Sequence, residues 1–174
     1  MVVPTTNEED DVATEWLDRR ELAAWIRVAS VLEVLPGVLD GQLRRDGGVT
    51  LFEYFVLAIL SETPGRTLRM SALAQQTNAT LPRLSNVVRR MEGRGLLERR
   101  QADDDARATD VTLTDEGMAT TERAAPGHVA AVRHHVVDAL TPEQLGQLVE
   151  ITDALLDRLD PTGGMAVTYR RYDG

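Results

Sequence analysis

The chain has 174 residues, 43% of them hydrophobic and 27% charged, with a formal net charge of −9. That length and balance suit one soluble unit with a real interior and exclude a wholly disordered chain. Cysteine is absent, which excludes disulfides and thiolate metal sites. The opening residues MVVPTTNEEDD lack the basic start and apolar stretch of a signal peptide, and no uninterrupted apolar run approaches membrane-spanning length. A cytoplasmic protein without membrane contact is expected.

In chain order, an acidic tail is expected over residues 1–12. From Ala13 an apolar helical pattern takes over through Trp16, Leu17, Leu22, Trp25, Ile26, Ala29, Leu32 and Leu35, with a kink or break expected at Pro36 and Gly37. Thr50 caps a second helix with Glu53 as its capping-box partner. Residues 66–70 read as a brief extended piece, Ser71 as the cap of a short helix, and Asn78 or Ala79 as a turn. Thr80 caps the next helix, in whose first turn Pro82 is tolerated because its amide would have no intrahelical acceptor. Gly93 or Gly95 ends it. LLERR and TDVTL then read as the strands of a hairpin around QADDDARA. Two helices follow, capped by Thr114 and by Thr141 with Gln144, and residues 161–174 read as a loose tail.

The segment from Thr80 to Arg100 stands out, holding six arginines and two carboxylates in an acidic protein. All 19 basic residues of the chain are arginine, the side chain best suited to bidentate contact with phosphate or guanine edges. Leu84, Val87, Val88 and Met91 fall on one stripe at spacings of three and four and must pack inward. Arg83, Asn86, Arg89 and Arg90 are left pointing away. A short helix, a tight turn, a second helix with an arginine-bearing outer face and a hairpin together describe a helix-turn-helix with a wing. Arg83, Asn86 and Arg89 carry the groups that read base edges, while Arg90, Arg94, Arg99 and Arg100 suit phosphates or structural pairing.

At LRMSALAQQTNATLPRLSNVVRRMEGRGLLERR, and at the Asp-x-Arg of Asp105 to Arg107 followed by VTLTDEG, the sequence resembles the MarR family of winged-helix transcriptional regulators. The similarity covers roughly residues 14–159. The resemblance implies a mainly α fold with a small β-hairpin wing: a helical dimerisation segment over 13–49, a winged helix-turn-helix over 50–113 and dimerisation helices over 114–160. It implies a dimeric, sequence-specific DNA-binding regulator, most often a repressor and not an enzyme. The recognition helix, about 81–93, would occupy the major groove through Thr80, Pro82, Arg83, Ser85, Asn86, Arg89 and Arg90. The wing, about 101–108, would reach the minor groove through Arg107, oriented by Asp105. Ala106 stands where many members have another basic residue, and Asp103, Asp104 and Asp105 crowd the loop, so weak wing electrostatics are expected.

The resemblance further implies a homodimer on a pseudo-palindromic duplex site, released by a small aromatic or phenolic effector. Trp16, Trp25, Phe52, Tyr54 and Phe55 are candidates to line its pocket, against the plainer reading that they are core aromatics. His128, His134 and His135 lack metal-ligand spacing, so no metal or other cofactor is expected. Without cysteine, the thiol-based peroxide sensing of some relatives has no residue to use. The alternative function is a winged-helix interaction module whose arginines dock an acidic protein partner. The overall charge of −9 and the acidic wing favour that alternative.

Overall fold

The computed structural model describes residues 14–171, so the acidic tail expected over 1–12 lies outside the described residues. Internal contacts divide the chain into two units, residues 1–36 and 37–174.

Helix α1 (Arg19–Asp46) begins in the first unit and extends past its end. Its start is fixed by Asp18, whose Oδ1 accepts the amides of Arg20 and Glu21 at 2.6 and 2.8 Å while Glu21 Oε2 accepts the Asp18 amide at 2.8 Å. This reciprocal cap satisfies orphan amides and moves the helix start from the expected Ala13 to Arg19, leaving Trp16 and Leu17 ahead of it. Pro36 lies inside the helix without breaking it. The expected break is therefore absent: proline removes one i→i−4 bond, from the Leu32 carbonyl, and the other bonds of the helix continue.

In the first unit Trp16, Leu22, Trp25, Ile26, Val31 and Leu32 are all exposed. By length and composition alone α1 is long and apolar enough to cross a membrane, although no uninterrupted apolar run reaches that length. Arg27 and Glu33 interrupt its apolar residues, which is why no uninterrupted run is visible in the sequence.

The second unit holds the core. Helix α2 (Leu51–Ser61) has the expected box, with Thr50 Oγ1 accepting the Glu53 amide at 3.1 Å and Glu53 Oε2 accepting the Thr50 amide at 2.9 Å. Strand β1 (Thr67–Arg69) leads directly into α3 (Met70–Gln76), so Arg69 occupies the cap position and Ser71, expected there, lies inside the helix. Pairing of β1 up to Arg69 sets that boundary.

Asn78 makes the turn at a φ of +48°, a conformation that asparagine tolerates better than most residues. Helix α4 (Leu81–Glu92) follows, and Gly95 at φ +75° turns the chain into β2 (Leu97–Gln101) and β3 (Thr109–Leu113).

The expected hairpin gains a third strand: the sheet is antiparallel in the order β1-β3-β2, with Arg69 opposite Asp110 and Gln101 opposite Thr109. Leu43, Leu57, Leu60, Leu73, Leu84, Met91 and Val111 are fully buried around this sheet. Each such side chain contributes about 1.5–3 kcal/mol by leaving water.

Helix α5 (Asp115–His135) is capped by Thr114, whose Oγ1 accepts the Gly117 amide at 3.0 Å and donates to the Gly95 carbonyl at 2.7 Å. Helix α6 (Pro142–Leu159) carries the Thr141 and Gln144 box and buries none of its residues; Leu148, Ile151, Leu155 and Leu159 are exposed. Beyond it the stretch read as loose contains a short helix, α7 (Ala166–Tyr169). Asp160 organises this end by accepting the Gly164 and Met165 amides at 2.8 Å each and the Tyr169 hydroxyl at 3.4 Å.

Candidate nucleic-acid interface

The surface of α4 follows from what lies beneath it. Leu84, Val87, Val88 and Met91 are buried, which fixes the helix's rotation and turns Arg83, Asn86, Arg89 and Arg90 to solvent. Thr80 Oγ1 accepts the Arg83 amide at 3.4 Å, and Pro82 sits in the first turn. Thr80 and Pro82 are exposed and Ser85 is partly covered.

The arginines of this segment separate by their partners. Arg94 meets Glu53 Oε2 at 3.5 Å and donates to the Gly48 carbonyl at 2.8 Å. Arg90 lies 3.7 Å from Glu53 Oε1. Arg99 pairs with Glu92 at 2.5 Å, and its neighbouring guanidinium holds that carboxyl below the usual carboxylate range. Arg100 pairs with Glu98 at 3.0 Å. Four of the six positive charges are thus answered by carboxylates.

Arg83 and Arg89 are not: among the described residues neither makes an ion pair. Arg89 instead donates to the Asn86 side-chain carbonyl at 3.2 Å, and Asn86 itself is exposed. The Arg83 guanidinium lies 4.6 Å from the centroid of the Phe52 ring. That cation–π contact orders the side chain without neutralising it.

At the wing, the Ala102 amide donates to the Ala108 carbonyl at 3.1 Å and the Ala108 amide to the Asp105 carbonyl at 2.9 Å. Asp105 Oδ1 accepts the Arg107 backbone amide at 2.9 Å, and Gln101 donates to the Ala106 carbonyl. Asp105 therefore acts on the backbone that carries Arg107, whose side chain is exposed and unpaired among the described residues. On the inner side Arg69 reaches Asp104 at 2.5 Å and Asp110 at 3.3 Å.

Two contacts at this surface had weak sequence signals. Glu53 is marked by its capping box, but its second role under Arg90 and Arg94 is a tertiary contact that spacing cannot show. Arg69 belongs to a strand of three residues, too short for a periodic pattern.

The five aromatics named as pocket candidates separate. Trp16 and Trp25 lie exposed in the first unit. In the second, Phe52, Tyr54 and Phe55 are half-buried against the core, Phe52 beneath Arg83 and Tyr54 with its ring centroid 4.7 Å from that of His128. His128 Nδ1 is buried without a hydrogen-bond partner, and burial lowers its pKa. His134 and His135 meet edge to face with ring centroids 4.7 Å apart. Among the described residues no cluster of three or more His, Asp or Glu could hold a metal ion.

Comparison with known proteins gives this architecture its family. A model described as "MarR family" matches residues 49–109, the stretch from the start of α2 to the start of β3. Sco3205, a MarR family transcriptional regulator from Streptomyces coelicolor solved in complex with DNA, is 41% identical with a TM-score of 0.81, covering 83% of this chain and 94% of that one. AbsC, a MarR family transcriptional regulator from the same organism, is 36% identical with a TM-score of 0.81, covering 85% of this chain and 99% of that one. The transcriptional repressor MprA of Escherichia coli is 26% identical over 65% of this chain, and the match spans 64% of that repressor's length. The buried stripe, the outward arginines and the hairpin occupy the matched region, and the chain belongs to the MarR family of winged-helix transcriptional regulators, not to an enzyme family.

Proposed function

We propose that this regulator is a repressor that binds a pseudo-palindromic DNA duplex as a homodimer, with α4 in the major groove and the wing at the minor groove. The observation that carries this reading is the division of the arginines. Arg90, Arg94, Arg99 and Arg100 are answered by carboxylates, whereas Arg83, Asn86 and Arg89 are presented outward by a buried apolar stripe. Such groups recognise guanine and adenine edges by paired hydrogen bonds. Thr80, Pro82 and Ser85 at the helix start, with Arg90 along its side, would set the helix against the sugar-phosphate backbone, and Arg107 would enter the minor groove. The exposed apolar residues of the first unit and of α6 supply surface for a second copy. A two-fold dimer would then place recognition helices roughly 34 Å apart, one turn of duplex.

We further infer that a small aromatic or phenolic effector releases the DNA, with Phe52, Tyr54 and Phe55 of the second unit as its candidate contacts. Release of a bound duplex on titration with a phenolic panel tests that part, and a panel that leaves the complex intact would contradict it.

The DNA reading is tested by competition between a selected site and random duplex. Arg83→Ala or Asn86→Ala is expected to lower the discrimination by about 1–3 kcal/mol per lost base contact, and the wild-type affinity to fall steeply with salt. Equal weakening on all sequences would reduce these residues to backbone contacts, and a flat salt titration would contradict the interface.

A further inference from the structure

From residue 102 to residue 110 the wing carries four carboxylates, Asp103, Asp104, Asp105 and Asp110, against one cation, Arg107. A loop of that sign repels a polyanion, which is why weak wing electrostatics were expected from the sequence. The structure adds a second cation from outside the loop. Arg69, the last residue of β1, stands opposite Asp110 in the sheet register. Its Nε lies 3.3 Å from Asp110 Oδ1 and its Nη2 lies 2.5 Å from Asp104 Oδ1. One guanidinium therefore joins the base of the wing to its tip, and its planar fork can hold two carboxylates in a way an ammonium cannot. Each partner favours the other's charged form: Arg69 holds the Asp104 carboxyl below the usual carboxylate range, and the two aspartates raise the arginine. An isolated surface pair is weak, but three linked charges across two strands form a network.

We propose that Arg69 is a positioning residue for the wing, pinning its tip to the sheet through Asp104 and Asp110 and cancelling negative charge that would oppose the approach of Arg107 to a phosphate-lined groove. This rests on the reading that the wing meets DNA. On the free protein the clasp is independent of that reading.

The test compares the full-length wild type with Arg69→Met, which keeps the apolar stem, and with the triple variant Arg69→Met, Asp104→Asn, Asp110→Asn. In the DNA-free protein, Arg69→Met is expected to speed amide hydrogen exchange at Ala102 and Ala108 while leaving α4 protected; unchanged exchange at the wing overturns the clasp. On a duplex selected by the wild type, Arg69→Met is expected to weaken binding about three- to tenfold, as loss of one effective charge in a small network would. The triple variant is expected to recover at least half of that loss on a logarithmic scale. No loss in Arg69→Met, or a loss that the triple variant does not recover, overturns the charge-cancelling role; in the second case faster wing exchange assigns the loss to the pinning, and unchanged exchange assigns it to direct contact of Arg69 with DNA. Arg107→Ala on the same duplex separates the two readings. If it binds like wild type while Asn86→Ala does not, the wing reading has failed, and the exchange result alone decides the clasp.

Discussion

His128 on α5 packs against Tyr54 of α2, with part of its ring out of water. Its ring faces Tyr54, its Nδ1 is buried without a partner, and burial pushes its pKa below the ordinary 6.5. The unfolded chain therefore takes up the proton at a higher pH than the folded one, so stability attributable to this site is intact above about pH 6.5 and falls as the pH drops below it. His128→Phe is expected to flatten that part of the acid side of a urea-midpoint versus pH curve, whereas parallel curves for the two proteins would show that the site does not titrate as described. Residue chemistry also explains why an acidic protein concentrates arginine in one segment. Most of that charge answers Glu53, Glu92 and Glu98, and the unpaired remainder at Arg83 and Arg89 faces outward beside Asn86. The sequence shows which residue types are present, but the partner of Arg90 in α2 is a tertiary fact. Phe52 illustrates the same limit. It is named from the sequence as a pocket aromatic, and it lies under Arg83 because the starts of α2 and α4 converge.

At the scale of elements, caps were the most legible feature. Thr50 with Glu53, Thr80, Thr114, and Thr141 with Gln144 all sit where their side chains accept the expected amides, because a cap is a local arrangement within four residues. The α4 stripe was legible for the same reason, since amphipathic spacing is written in consecutive turns. Strand β1 was legible only as a brief extended piece over 66–70, without its pairing, and helix α7 was not legible. Three residues cannot show alternation, and α7 depends on Asp160 reaching forward to Gly164, Met165 and Tyr169.

The junction of α5 with the sheet gives a test at this scale. A Cβ at Gly117 would collide with the Leu96 carbonyl and lie 2.6 Å from Leu113 Cδ1, so this glycine is needed for close approach rather than for its φ. Gly117→Ala is expected to destabilise the protein by about 1–3 kcal/mol, the usual cost of overpacking, read as a lower urea midpoint. An unchanged midpoint would mean that α5 can lift off the sheet at no cost.

For the whole molecule, the proposed dimer rests on exposed apolar surface. Trp25 and Leu32 in the first unit and Ile151 and Leu155 in the second are all exposed. Dimerisation through these residues implies that Leu32→Asp or Ile151→Asp shifts the mass measured by light scattering toward one chain and weakens binding to a two-half-site duplex more than to a single half-site. A wild-type protein that is already a single chain would contradict it. The charges at Arg27 and Glu33 disguise in the sequence how apolar α1 is.

The most direct measurement selects bound duplexes from a random pool with wild-type protein and with Asn86→Ala side by side. The account requires the wild type to enrich two inverted half-sites about one helical turn apart, and the variant to lose preference at one base position in each half-site while retaining the rest. No enriched sequence with the wild type, or an identical motif of equal strength with the variant, would contradict the claim that the outward face of α4 reads DNA.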